Sequence, residues 1–107
     1  MKKNILQSKL KKIFIKHNLS KKHSKICTNY LIKAELVDAP SHGLARLKMY
    51  CDRIKKRLIN PKPKIKIKNI SSSVSYVNAD DSIGFVAADI GINQAIKNAK
   101  KTGIGLV

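Results

Sequence analysis

At 107 residues and a net charge of +17, the chain is sized for one domain or part of one. Two phenylalanines, three tyrosines and no tryptophan exclude an aromatic-rich core, so Ile, Leu, Val and Ala must build it. No apolar run approaches the ~20 residues of a spanning helix, and none follows Lys2 and Lys3 to make a secretory signal, so the chain reads as cytoplasmic with no membrane contact.

Leu6, Leu10, Ile13, Phe14 and His17 recur at the helical period, which predicts a helix over about 4–17. Residues 1–34 lack any acid, faintly like a transit peptide, but an ordinary N-terminal helix is the simpler reading. Asn18 and Leu19 break the pattern, and Ser20 is placed to cap a second helix over about 20–37. Its buried stripe is expected to be His23, Ile26, Cys27, Tyr30, Leu31 and Ala34. His17 and His23 read as helix-face or boundary residues. Pro40 biases Ala39 away from the helical region. Ser41 then starts a third helix, about 41–57. Leu44, Leu47, Cys51, Ile54 and Leu58 make its apolar face, and His42, Arg46, Tyr50 and Arg53 its polar one.

Asn60-Pro61-Lys62-Pro63 closes the helical part. Strict alternation of isoleucine and lysine over Lys64–Ile70 predicts a strand buried on one side. Ser71–Ser73 turns it into a second strand, giving a β-hairpin over about 64–78. Ala79–Gly84 reads as a polar loop, with Asp80 and Asp81 in a turn and not at a metal. A helix over about 85–101 follows, with Ala88, Ile92, Ala95 and Ala99 as its packing stripe and Gly103 as its C-cap. Residues 104–107 begin a further apolar strand. The fold class is α+β, and such an apolar strand end needs a partner, so the chain reads as a fragment of a larger fold, without a second domain.

Charge is the dominant bulk property, and two readings of it stand. Basic chains favour polyanions, yet 20 of the 23 basic residues are lysine and only 3 are arginine, the better residue for bidentate phosphate and base contacts. Twenty lysines, 15 isoleucines and 8 asparagines also match a strongly AT-biased codon usage. With few arginines and no aromatic stacking platform, nucleic acid is expected to bind non-specifically only. Cys27 and Cys51 have neither Cys-x-x-Cys nor zinc-site spacing, so they read as free thiols and no metal is expected.

Chemistry concentrates in Ser41-His42-Gly43-Leu44-Ala45-Arg46 and Tyr50. Positions four apart share one stripe of a helix, which lines up His42, Arg46 and Tyr50. An imidazole, a guanidinium and a phenol in a row suit a small molecule with a carboxylate and a hydroxyl or carbonyl.

Several segments, in order, resemble the N-terminal part of the NAD(P)-dependent malate/L-lactate/L-sulfolactate/ureidoglycolate dehydrogenases, a family unrelated to the Rossmann-type lactate and malate dehydrogenases. Ala34-Glu35-Leu36 through Ser41-His42-Gly43 is similar to the family's Ala-Asp-Leu…Ser-His-Gly element, with Arg46 and Tyr50 following in place. Leu58–Pro63 resembles its Ile-Asn-Pro-x-Pro segment. Val77-Asn78-Ala79-Asp80 with Gly84 resembles its Asp-Gly-Asp…Gly loop. Ala95–Lys100 and Gly103–Val107 resemble the next helix and strand. Pro40 and Phe85 stand where Asp and Gln are usual.

The resemblance implies an oxidoreductase that moves a hydride between NAD or NADP and a small 2-hydroxy or 2-oxo acid. It implies that Arg46 clamps the substrate carboxylate, that Ser41, His42 and Tyr50 line the pocket, and that His42 orients the substrate oxygen or exchanges its proton. It implies homodimers for full-length members, and it puts the principal acid/base histidine and the cofactor-binding region beyond residue 107. The expectation is a truncated member of the family, inactive by itself. The alternative is a small basic RNA- or DNA-binding protein.

Overall fold

The structure is a computed structural model that describes residues 3–37 and 43–107. It has four helices and a two-stranded sheet, an α+β arrangement in two compact units, residues 1–62 and 63–107.

In the first unit, α1 (Lys3–Lys16) and α2 (Lys21–Leu36) pack on one another. The turn between them is written in the sequence. Asn18 takes a left-handed φ of 72°, tolerated by a short amide side chain. The Asn18 N–H donates to Ile15 O and the Leu19 N–H to Phe14 O, the paired bonds that close a helix C-terminus. Leu19 and Phe14 are both buried beside that closure. Ser20 caps α2, its hydroxyl accepting the His23 N–H at 3.1 Å, as expected. His17 donates from Nδ1 to the Ile13 carbonyl at 2.8 Å, because that oxygen can only accept.

The buried stripe of α2 differs from the expected one. Ser24, Cys27, Thr28, Leu31 and Ile32 are buried, while His23, Ile26, Tyr30 and Ala34 are half-buried. The stripe is rotated toward the small hydroxyl residues. Ser24 and Thr28 each lie three positions before another buried residue, Cys27 and Leu31, on the same face of α2, and share their burial. Burial lowers the pKa of His23, helped by the adjacent Lys22 charge. Burial also pushes the Cys27 thiol up to about 12, from an ordinary 9.0. The thiolate is the reactive form, so Cys27 is expected to react with a disulfide reagent at pH 8 about 1000-fold more slowly than in the unfolded chain. Timed labelling with and without urea measures this; equal rates refute it.

The third helix is shorter than predicted. A 3₁₀ turn spans Leu44–Arg46, and α3 runs only over Leu47–Lys55. The chain reverses just beyond it at Arg57, which adopts a left-handed φ of 61°, with the Arg57 N–H on Ile54 O and the Leu58 N–H on Arg53 O. That reversal carries Leu58 off the apolar face, and it stands 66% exposed instead of buried. Cys51 and Ile54 are buried as expected, and both cysteines are free thiols.

In the second unit, β1 (Lys66–Asn69) and β2 (Ser75–Asn78) form an antiparallel hairpin in the register Lys66↔Asn78 to Asn69↔Ser75. The Ser71 hydroxyl accepts the N–H groups of Ser73 and Val74, which makes the turn. All four residues of β1 are exposed, including Ile67 at 47%, so the one-side-buried strand is not found. Alternation marks which side an isoleucine faces, but burial needs a second layer, and none covers this strand among the described residues. Asp80 and Asp81 form the polar turn, with φ of 52° and 56°, and an Asp80 carboxylate oxygen accepts the Lys64 N–H at 2.9 Å.

Helix α4 (Gly84–Thr102) follows, closed by Gly103 in a left-handed φ of 89°. Beyond it, Leu106 makes an isolated parallel bridge to Val74, at the position where a further strand is predicted. The predicted packing stripe of α4 is again displaced. Val86 and Asn98 are its buried residues, while Ala88 and Ile92 are exposed. Asn98 explains the difference. Its Nδ2 donates to Ser75 Oγ at 2.9 Å and its Oδ1 accepts from Gln94 at 3.0 Å, which draws that side of the helix onto the hairpin. The Ser75 hydroxyl in turn donates to Asn69 Oδ1 at 2.7 Å. Replacing Asn98 by Leu strips partners from this buried network and is expected to cost about 1–3 kcal/mol. Urea unfolding followed by circular dichroism reads the loss; an unchanged midpoint refutes it.

Candidate functional site

Of the four residues singled out in the sequence, Arg46 and Tyr50 lie among the described residues, and Ser41 and His42 lie outside them. Arg46 is the last residue of the 3₁₀ turn and the N-cap of α3. It is exposed, and Tyr50, in the first turn of α3, is half-buried. Among the described residues the predicted 41–57 helix is broken into a 3₁₀ turn and a shorter helix: at this corner Arg46 sits at the junction of the two, and Tyr50 lies one helical turn into α3. The Arg46 N–H donates to Gly43 O at 3.1 Å, which closes the turn beneath it.

What holds that corner is Glu35, near the end of α2. Its Oε1 accepts the Leu44 N–H at 2.7 Å, a charge-assisted bond to the first residue of the 3₁₀ turn. The Glu35 carboxylate lies so close to Gly43 that a Cβ there would collide with it. A side chain at Gly43 would have to push the Glu35 carboxylate aside, so the glycine leaves room for the bond that pins the turn bearing Arg46 to α2. Sequence reasoning gave Glu35 no such role. The available signal was its rarity, as one of six acids in a chain of 23 basic residues, eight positions before Gly43.

Further along α3, Lys48 and Asp52 pair at 2.8 Å across one turn. The Lys48 ammonium holds the Asp52 carboxyl below its ordinary value, and the pair lies at the surface, so it contributes little to stability. Another cleft of the first unit, about 800 Å³, is lined by Ile13, Lys16, His17, Ile54, Arg57 and Pro61 among others. It does not include Arg46 or Tyr50. It lies at the carbonyl ends of α1 and α3, whose dipoles oppose an anion.

Comparison with solved structures defines the fold. The chain superposes on malate dehydrogenase from Pyrococcus horikoshii with a TM-score of 0.92 and 33% identity, covering 97% of this chain and 30% of that one. In sequence it is 34% identical to the malate dehydrogenase of P. horikoshii over 105 residues, 98% of this chain and 29% of that protein. It is also 34% identical to the L-sulfolactate dehydrogenase of Methanocaldococcus jannaschii, over 86% of this chain and 27% of that protein. The family profile described as malate/L-lactate dehydrogenase matches residues 1–107, and the chain belongs to that family. It spans less than a third of the length of these relatives. Nothing in these likenesses favours the nucleic-acid-binding alternative.

Proposed function

We propose that the chain supplies the substrate-carboxylate side of an oxidoreductase site that interconverts a small 2-hydroxy acid and its 2-oxo acid. The observation that carries this reading is the pinned corner. A family member places an arginine on a turn held by Glu35, with a tyrosine one helical turn beyond. Arg46 donates two parallel N–H bonds to the substrate carboxylate, a geometry lysine does not reproduce. Tyr50 and Ser41 offer hydroxyls beside the substrate. His42 is assigned to orient the substrate oxygen or to exchange its proton, since an imidazole can donate or accept a hydrogen bond there.

The reaction also calls for a nicotinamide cofactor, which when bound gives or takes the hydride. One relative carries the cofactor in its name, the ureidoglycolate dehydrogenase (NAD(+)) of Escherichia coli. The described residues of this chain do not fit a dinucleotide. Gly103 and Gly105, the only glycine pair of the right type, are both in structural use: Gly103 caps α4, and Gly105 lies against the Ala95 backbone. The cofactor site and the principal acid/base histidine are therefore assigned to the remainder of the fold, and the 107-residue chain is expected to be inactive by itself. A cytoplasmic location and a homodimeric assembly of the whole enzyme belong to the same reading.

The test is a chimera in which residues 1–107 replace the matched segment of the P. horikoshii enzyme. NAD(P)H-dependent reduction of 2-oxo acids by the chimera, sensitive to Arg46→Ala, is the expected result. Reduction by the isolated 107 residues, or a chimera indifferent to Arg46→Ala, overturns the reading.

A further inference from the structure

Where two amphipathic helices pack, the surfaces that meet are ordinarily apolar. One stretch of the α1–α2 contact is polar instead. Gln7, Ser8 and Lys11 of α1 and Lys25, Thr28 and Asn29 of α2 line a cavity of about 220 Å³. Spacings of three and four residues put each trio on one face of its helix. All six side chains can donate a hydrogen bond, two are cationic, and none is acidic or apolar.

Lysines beside a cavity mean little in a chain with 20 of them. The floor singles this one out. Thr28 is only 2% exposed, and its Oγ1 is buried without a hydrogen-bond partner among the described residues. Burying a hydroxyl without a partner is unfavourable, so a cavity lined by such a residue asks for an acceptor. Ser24 Oγ, one turn earlier, is also unpartnered, but Ser24 does not line the cavity.

Charge and size narrow the occupant. No acid precedes Glu35 in the sequence, and Glu35 lies ten residues beyond Lys25, about 15 Å along the helix. Two like charges about one cavity repel, and a dianion neutralises both. The volume falls below the roughly 300–1,000 Å³ of organic-ligand pockets and fits a small ionic group. A carboxylate brings one charge and two oxygens. A phosphate group brings up to two charges and more acceptor oxygens, which matches donors converging from two helices.

We infer that this cavity binds a phosphate group, with Lys11 and Lys25 as counter-charges and the Thr28 hydroxyl as a buried donor. It shares no residue with the Arg46 corner, so the inference does not rest on the substrate site. Inorganic phosphate is titrated calorimetrically into the 107-residue chain at pH 8 and constant ionic strength. Saturation at one equivalent is expected. Lys11→Gln, Lys25→Gln and Thr28→Val each weaken binding at least tenfold, as the loss of a hydrogen bond to a charged group requires. Lys9→Gln, at an exposed α1 position outside the cavity, and Ser24→Ala change it less than about twofold. Thr28→Val substitutes an apolar group of the same shape for an unpaired hydroxyl, so stability in phosphate-free buffer is kept or raised, which urea unfolding followed by circular dichroism verifies.

A parallel titration with glycerol phosphate separates the sources: equal affinity assigns the site to a phosphate carried on a larger molecule, and binding of inorganic phosphate alone assigns it to the free ion. Absence of saturation overturns the inference. So does equal weakening by Lys9→Gln, which would make the attraction one of bulk charge, or unchanged binding by Thr28→Val. Acetate binding as tightly as phosphate overturns the choice of ligand.

Discussion

Truncation of Phe14 to alanine is expected to destabilise the first unit by about 3–5 kcal/mol. Phe14 has no exposed surface, and it is the largest fully buried side chain among the described residues. It stands at the α1–α2 turn, where its carbonyl accepts the Leu19 N–H, and Leu10 and Leu19 are buried as well. Total stabilities of small domains are about 5–15 kcal/mol, so such a loss removes much of the margin. Ile15, one residue along and 40% exposed, serves as the comparison, because Ile15→Ala removes a side chain that is already partly in water. Urea titration followed by circular dichroism should show a large fall in midpoint for Phe14→Ala and a small one for Ile15→Ala. Equal effects would mean that the α1–α2 interface does not hold the unit together.

Arg46→Ala in the chimeric enzyme is expected to reduce kcat/KM about 100-fold or more, chiefly through KM. Hydrogen bonds to charged groups contribute about 1.5–3 kcal/mol each, and the proposed clamp makes two. Ground-state and transition-state acids share the carboxylate, so its loss weakens both and appears mainly in KM. Arg46→Lys keeps the charge and loses the fork, so it should fall between wild type and Arg46→Ala. A loss confined to kcat, with KM unchanged, would move Arg46 from binding the carboxylate to stabilising the reacting centre, against the assignment made here.

Much of the local structure was legible because its causes are local. Ser20 caps α2 because its hydroxyl reaches an N–H three residues on. Gly103 ends α4 because it is at home in left-handed backbone. Asn18-Leu19, Ser71–Ser73 and Asp80-Asp81 make turns through their own side chains and backbone. The family, too, was legible from the order and spacing of short segments. The site was legible only in part: Arg46 and Tyr50 were named, but the corner that carries them depends on Glu35, which reaches it from another element.

By itself, then, the sequence determined where α1, α2 and α4 start and stop, the hairpin and its turn, and membership of the malate/L-lactate dehydrogenase family. Tertiary structure alone decided which faces are buried. Ser24 and Thr28 displaced Ile26 and Tyr30 on α2, Asn98 drew α4 onto the hairpin, and Ile67 and Ile92 were left in water. The physical reason is that a cap or turn is satisfied within a few residues, whereas burial depends on what comes to lie opposite. Apolar periodicity marks a face that asks for a partner, and only the assembled fold shows whether that partner is present.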